Sequence, residues 1–202
     1  MNAEGVFAAV TNLRDPNPDP RRRSRGLLVM DALRAPTATR AADWLKALSQ
    51  QEYNPFHCFV ADRDRAFHTT YRNTARQREL EPGVHVLGNV DPSEEPAPKA
   101  DRVRTQVGDC VSLPREQVWE KLAGVCRQHE TGDLGDVCVH LEEYGTRSSA
   151  LLMLTEEKIG SRLAYSHGPP CQNDYQDYST LLSELSQTAS YDSGKIATRS
   201  PS

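Results

Sequence analysis

Gly5-Val6-Phe7-Ala8-Ala9-Val10-Thr11-Asn12 is the stretch on which the fold reading turns. Its apolar residues fall on both alternating faces, the pattern of a strand covered on both sides of a sheet rather than on one. Such a strand needs helical or sheet layers above and below it. Outward from it, Arg14 to Arg23 holds three prolines and four arginines, which neither pair in a sheet nor continue a helix, so a surface loop is expected. The next segment, Ser24 to Leu33, sets Val29, Ala32 and Leu33 at i, i+3, i+4 ahead of Pro36 and predicts a short helix. A second helix is predicted from Thr37 as N-cap, with Ala41, Trp44, Leu45 and Leu48 on one face.

Strand patterns follow at Phe56–Ala61, Ala66–Tyr71 and Val84–Leu87, with Asp62 to Arg65 as a hairpin tip. The proline-rich residues 91–98 read as a loop. Helices are then predicted over Lys99–Gln106 and Pro114–Gln128, the second presenting Val118, Leu122, Val125 and Cys126 on one face, with Pro114 in the first turn, where a missing N–H costs little. Strands return at Val137–Leu141, Ser148–Leu154 and Ile159–Tyr165. Serine-rich residues 183–202 hold few large apolar side chains and are expected to form a disordered tail after a single domain spanning 1–182. Paired helices alternating with grouped strands exclude a strict βαβ repeat and imply a layered α+β fold. If both helix pairs pack outside two stacked sheets, the result is an α/β/β/α sandwich.

The chain has 202 residues, with 24 Lys+Arg against 28 Asp+Glu, a net charge of −4. That balance gives no electrostatic footprint for nucleic acid, and none is expected as a partner. Mean hydropathy is −0.65, and no apolar run approaches a membrane span, so no transmembrane segment is expected. The first residues lack the charged and apolar regions of a secretory signal, which makes the cytoplasm the expected compartment. Five cysteines, an odd number without an export signal, argue for free thiols. His57/Cys58, Cys126/His129 and Cys138/His140 are only isolated pairs, and a structural zinc site needs four converging groups, so no metal site is expected.

Polar or glycine residues interrupt strand ends at Thr11-Asn12, Ser24-Arg25-Gly26, Gly88-Asn89 and Tyr144-Gly145-Thr146-Arg147-Ser148. An asparagine amide after a buried strand suits an oxyanion, and an arginine holds a carboxylate or phosphate in bidentate fashion. Turn propensity and surface ion pairing account for the same residues equally well.

Taken in order, GVFAAVTNLRD, RSRGLLV, YNPFHCFVAD, LEPGVHVLGNVDP and VCVHLEEYGTRSSALLML resemble the transport-and-Golgi-organisation proteins, named also for an Asn-Arg-Asp-Glu (NRDE) signature. The spacing fits from about residue 4 to about 166. That family resembles N-terminal-nucleophile hydrolases, whose fold is the α/β/β/α sandwich. In amidases of that superfamily an N-terminal cysteine attacks an amide carbonyl, with its own amine as base. The resemblance implies oxyanion or substrate-orienting positions at Asn12 and Asn89. It implies a site-ordering arginine at Arg147, with Tyr144 in the same Y-G-T-R motif, and a packing role for Ser24 and Arg25. The family begins Met-Cys, followed by the signature, whereas this sequence begins Met1-Asn2. The expectation is therefore a domain incomplete at its N-terminus, with no catalytic residue in the chain as given.

The function implied is non-catalytic handling of a small hydrophobic metabolite, haem or an acyl-lipid, with no resident cofactor and with His57, His85, His140 and Arg147 as residues that would contact haem. The alternative is a cysteine amidohydrolase acting on acyl amides, whose nucleophile lies upstream of Met1.

Overall fold

The computed structural model describes residues 1–91, 93, 96–130, 132, 134–155 and 160–185. Residues 186–202, most of the expected tail, lie outside the described residues. Two compact units divide the described residues: Met1–Pro82 with Leu87–Ala97 and Leu185, and Gly83–Val86 with Pro98–Glu184. Both mix helices with antiparallel sheet, an α+β architecture.

In the first unit, β1 (Phe7–Asn12), β2 (Phe56–Ala61), β3 (Ala66–Tyr71) and β4 (Ala75–Glu79) form one antiparallel sheet in that order. The expected bounds of β2 and β3 hold to the residue, and Asp62 turns the chain between them. Its carboxylate accepts from the N–H groups of Asp64 and Arg65 at 3.0 and 2.9 Å. β1 corrects the opening expectation: it lies at the sheet edge, and of its residues only Ala8 is buried. The strands covered most fully are the inner ones, β2 and β3. Val84–Leu87 is not a strand. The fourth strand is Ala75-Arg-Gln-Arg-Glu79, a charged segment with no apolar alternation, which is how solvent-facing edge strands are built.

α1 (Arg25–Ala32) starts where Ser24 Oγ accepts from Gly26 N, 3.2 Å away. α2 (Ala38–Lys46) starts where Thr37 Oγ1 accepts from Arg40 N at 3.2 Å. Leu28 and Ala32 of the first and Ala38, Ala41, Ala42 and Leu45 of the second are buried with Tyr53, Phe56, Cys58, Val60, Phe67 and Tyr71 in one core cluster. The predicted apolar stripe of α2 is thus its buried face, with Trp44 and Leu48 at the border. The Y-N-x-F motif is structural: Tyr53 and Phe56 sit in the core, and the Asn54 amide donates to Asp19 O at 2.8 Å and accepts from Asp19 N at 2.9 Å, pinning the arginine-rich loop.

The second unit contains α3 (Pro98–Val107), α4 (Arg115–Cys126) and a sheet of β5 (Ser149–Met153), β6 (Arg162–Ser166) and β7 (Gln176–Asp177). The face of α4 matches expectation in part: Val125 is buried and Cys126 packs against the core, but Leu122 is exposed and Trp119 and Ala123 are buried instead. Trp119 anchors this core against Leu151 and Ala164, which face each other across β5 and β6. A tryptophan buries more apolar area than a leucine, so it sets the helix rotation that the leucine-based stripe misassigned. No helix among the described residues is long and apolar enough to cross a membrane.

Candidate functional site

Val137–Leu141 does not join a sheet ladder, because its polar groups are claimed locally. Cys138 N donates to Gln128 O at 2.8 Å, and the buried Asp136 carboxylate accepts from the N–H groups of Glu130 and Gly132 at 3.2 and 2.7 Å. The chain then doubles back in a small hairpin. His140 bridges Gly145, Leu141 N donates to Tyr144 O at 2.7 Å, and Val139 exchanges bonds with Thr146 N and Oγ1 at 2.8 and 3.0 Å.

Gly145 is dictated by this closeness, since a Cβ there would lie 2.8 Å from Val139 O, a backbone atom with no freedom to yield. Gly145→Ala is expected to spread the hairpin and destabilise the second unit by about 1–3 kcal/mol. Denaturant unfolding followed by tryptophan fluorescence measures this.

The hairpin presents Tyr144 and Arg147 to solvent. Both line a cavity of about 520 Å³ together with Val139, His140, Leu141, Glu142, Glu143 and Pro169. Leu141 and Tyr144 are 40% and 64% exposed, so apolar surface is open there to a ligand.

Behind the hairpin, His140 Nε2 stands 2.9 Å from Cys171 Sγ and 3.5 Å from Cys138 Sγ, and the two sulfurs are 3.5 Å apart. Cys171 rides on a turn in which Gln172 N and Asn173 N both donate to Pro169 O at 3.0 Å, and Arg127 Nε fixes Pro170 O at 3.2 Å. Partial burial and the adjacent Cys138 push the Cys171 thiol above its ordinary pKa. His129 Nδ1 donates to Cys138 O at 3.0 Å, and its ring stands edge-on to His140 at 4.4 Å between centroids.

In the first unit the end of β1 is tied to the segment around residue 89: Thr11 Oγ1 donates to Gly88 O at 2.7 Å, and Arg14 N to Asn89 O at 2.8 Å. Asn12 and Asn89 therefore occupy bonded neighbouring segments, with both side chains exposed. His57 has a structural place. Val90 O only accepts, so Nε2 carries the hydrogen it donates at 3.1 Å, which leaves Nδ1 to accept from His68 Nε2 at 3.0 Å. Arg25 donates to Pro55 O at 2.9 Å, in keeping with a packing role. His85 is exposed.

The sequence-predicted residues thus divide into two groups: Asn12 with Asn89 in one unit, and Tyr144 with Arg147 in the other. The grouping of Cys138, His140 and Cys171 escaped sequence reasoning. Its one legible sign was the Cys-x-His spacing, which sets both side chains on the same side of an extended chain. Cys171 lies 31 residues beyond His140 and only the fold brings it in.

No curated protein matches this chain. The sequence profile described as Transport and Golgi organisation 2 matches residues 1–163, a span that includes β1, the His57 network and the whole 138–147 hairpin. With four-fifths of its length matched in this way, the chain belongs to the Transport and Golgi organisation 2 family.

Proposed function

We propose that this protein binds and hands on a small hydrophobic metabolite with an acidic head, of the haem or acyl-lipid class, without covalent catalysis. The observation that carries this reading is the cavity of about 520 Å³, which combines Val139, Leu141 and Tyr144 with the Arg147 guanidinium. Ligand sites typically enclose about 300–1,000 Å³, mostly apolar, with a few polar groups that fix orientation. Arg147 suits a carboxylate or propionate held by two parallel N–H bonds. Glu142 and Glu143 on the same lining oppose a polyanion and favour a ligand with little charge on a large apolar body.

Titrating the protein with haemin, followed by its absorbance, and separately with a fluorescent long-chain fatty acid tests the reading and tells the two ligand classes apart. One ligand per chain is expected. Arg147→Ala should weaken binding by about 10–100-fold, the value of a charge-assisted hydrogen bond, with a smaller loss for Tyr144→Ala. Absence of binding to both ligands, or affinity unchanged in Arg147→Ala, contradicts it.

A second reading, the sandwich fold and amide hydrolysis of N-terminal-nucleophile enzymes, draws support from the bonded segments that carry Asn12 and Asn89. It requires a cysteine nucleophile upstream of Met1. In a chain extended to begin with that cysteine, it predicts acyl-amide hydrolysis that falls on the order of 10²–10³-fold in Asn89→Ala.

A further inference from the structure

Three soft or borderline donor atoms converge in the second unit: Cys138 Sγ, His140 Nε2 and Cys171 Sγ all lie within 4.8 Å of one another. Their separations are 3.5, 3.5 and 2.9 Å. Three corners of a tetrahedron around a zinc ion, with Zn–S about 2.3 Å and Zn–N about 2.0–2.1 Å, are about 3.8 Å apart for two sulfurs and about 3.6 Å for sulfur and nitrogen. The observed triangle has that shape, drawn in most on the Cys171–His140 side. That edge, 2.9 Å long, ends on Cys171, a free and half-buried thiol on the turn after Pro169.

We propose that Cys138, His140 and Cys171 bind a thiophilic divalent cation, with Zn²⁺ the fitting ion, through two thiolates and one imidazole, leaving a fourth coordination position for water or another ligand. Each donor is already held by bonds of its own. Cys138 is anchored through its N–H to Gln128 O, His140 by its bridge to Gly145, and Cys171 by the Pro169 turn and the Arg127 bond to Pro170 O. An outer shell is present as well. His129 donates to Cys138 O and packs edge-on against the His140 ring, which limits rotation of the liganding imidazole. Thiols hydrogen-bond weakly, so their own bonds explain little of why two cysteines and a histidine are brought together. On binding, the ion takes the place of two thiol protons, which pass to solvent, and no oxidant or reductant is needed.

His140 also lines the neighbouring cavity, so the test uses no cavity ligand and reads the metal alone. The full chain, reduced and stripped of metal, is given one equivalent of Zn²⁺ and dialysed, and a parallel sample receives Co²⁺. The expected result is one ion retained per chain, and for cobalt the thiolate charge-transfer absorption and d–d bands of a tetrahedral site. Cys138→Ser, Cys171→Ser and His140→Gln should each weaken retention by more than the roughly 10–100-fold that loss of an outer-shell partner costs, while Cys110→Ser retains the ion. The wild-type cobalt spectrum needs no variant to fold. Its lack of thiolate charge transfer, retention well below one equivalent, or Cys171→Ser holding metal as the wild type does would each overturn the site.

Discussion

Tyr71→Ala is expected to remove about 4–8 kcal/mol of stability, a large share of the 5–15 kcal/mol that holds a typical domain together. Tyr71 is fully buried, with its ring stacked on Phe56 at 5.0 Å and edge-on to Tyr53 at 6.5 Å between centroids. Deleting a buried aromatic ring costs about 3–5 kcal/mol in lost transfer energy and residual cavity. The hydroxyl adds a separate contribution. It donates to Ser49 O at 2.6 Å and accepts from Glu52 N at 3.0 Å, closing the chain between α2 and β2 over the core. Stranding those two backbone groups costs about 1–3 kcal/mol. Tyr71→Phe keeps the ring and should show the second cost alone. Denaturant titrations of the two variants separate the contributions, and near-equal losses would mean that the stacked ring matters less than its contacts imply.

Between pH 8 and 11, wild type is expected to lose about 2–3 kcal/mol more stability than Cys58→Ala. Cys58 is fully buried in β2, and burial pushes its thiol from 9.0 up to about 12. The raised pKa means that the folded state disfavours the thiolate while the unfolded chain ionises freely. The stabilisation is therefore complete below pH 9 and is lost as pH climbs from about 9 to about 12, where it totals about 4 kcal/mol. Tyrosines and lysines titrate in the same range, so the informative quantity is the difference between wild type and variant. Parallel profiles would place the Cys58 thiol in contact with water. The same burial predicts that native Cys58 resists alkylation.

Local chemistry made much of the first unit legible. Ser24 and Thr37 are caps because their hydroxyls accept early N–H groups of a helix. β2 and β3 were delimited by the Asp62 turn and by their apolar and β-branched content. Edge position is a different matter. β1 reads as covered on both sides because Phe7, Ala8, Ala9 and Val10 are all apolar, yet which strand has neighbours on both sides is decided by pairing between distant segments. β4 was hidden for the converse reason, since a charged edge strand carries no hydrophobic period. The segment 137–141 has a strand's alternation, but Gln128 O takes the Cys138 N–H, and the 144–146 return takes the backbone groups of Val139 and Leu141. Tyr144 and Arg147, singled out by the Y-G-T-R motif, do line the cavity, and Asn12 and Asn89, singled out at strand ends, lie on neighbouring bonded segments. Cys171 was not singled out, because a proline-flanked cysteine carries no local sign of the partner that the fold supplies.

A ligand in the cavity of the 139–147 hairpin would protect the backbone around it. In hydrogen exchange with and without saturating haemin or fatty acid, slower exchange is expected across residues 139–147 and the Pro169–Asn173 turn, with that protection lost in Arg147→Ala. Protection confined to the segments carrying Asn12 and Asn89, with none in the hairpin, would contradict that placement.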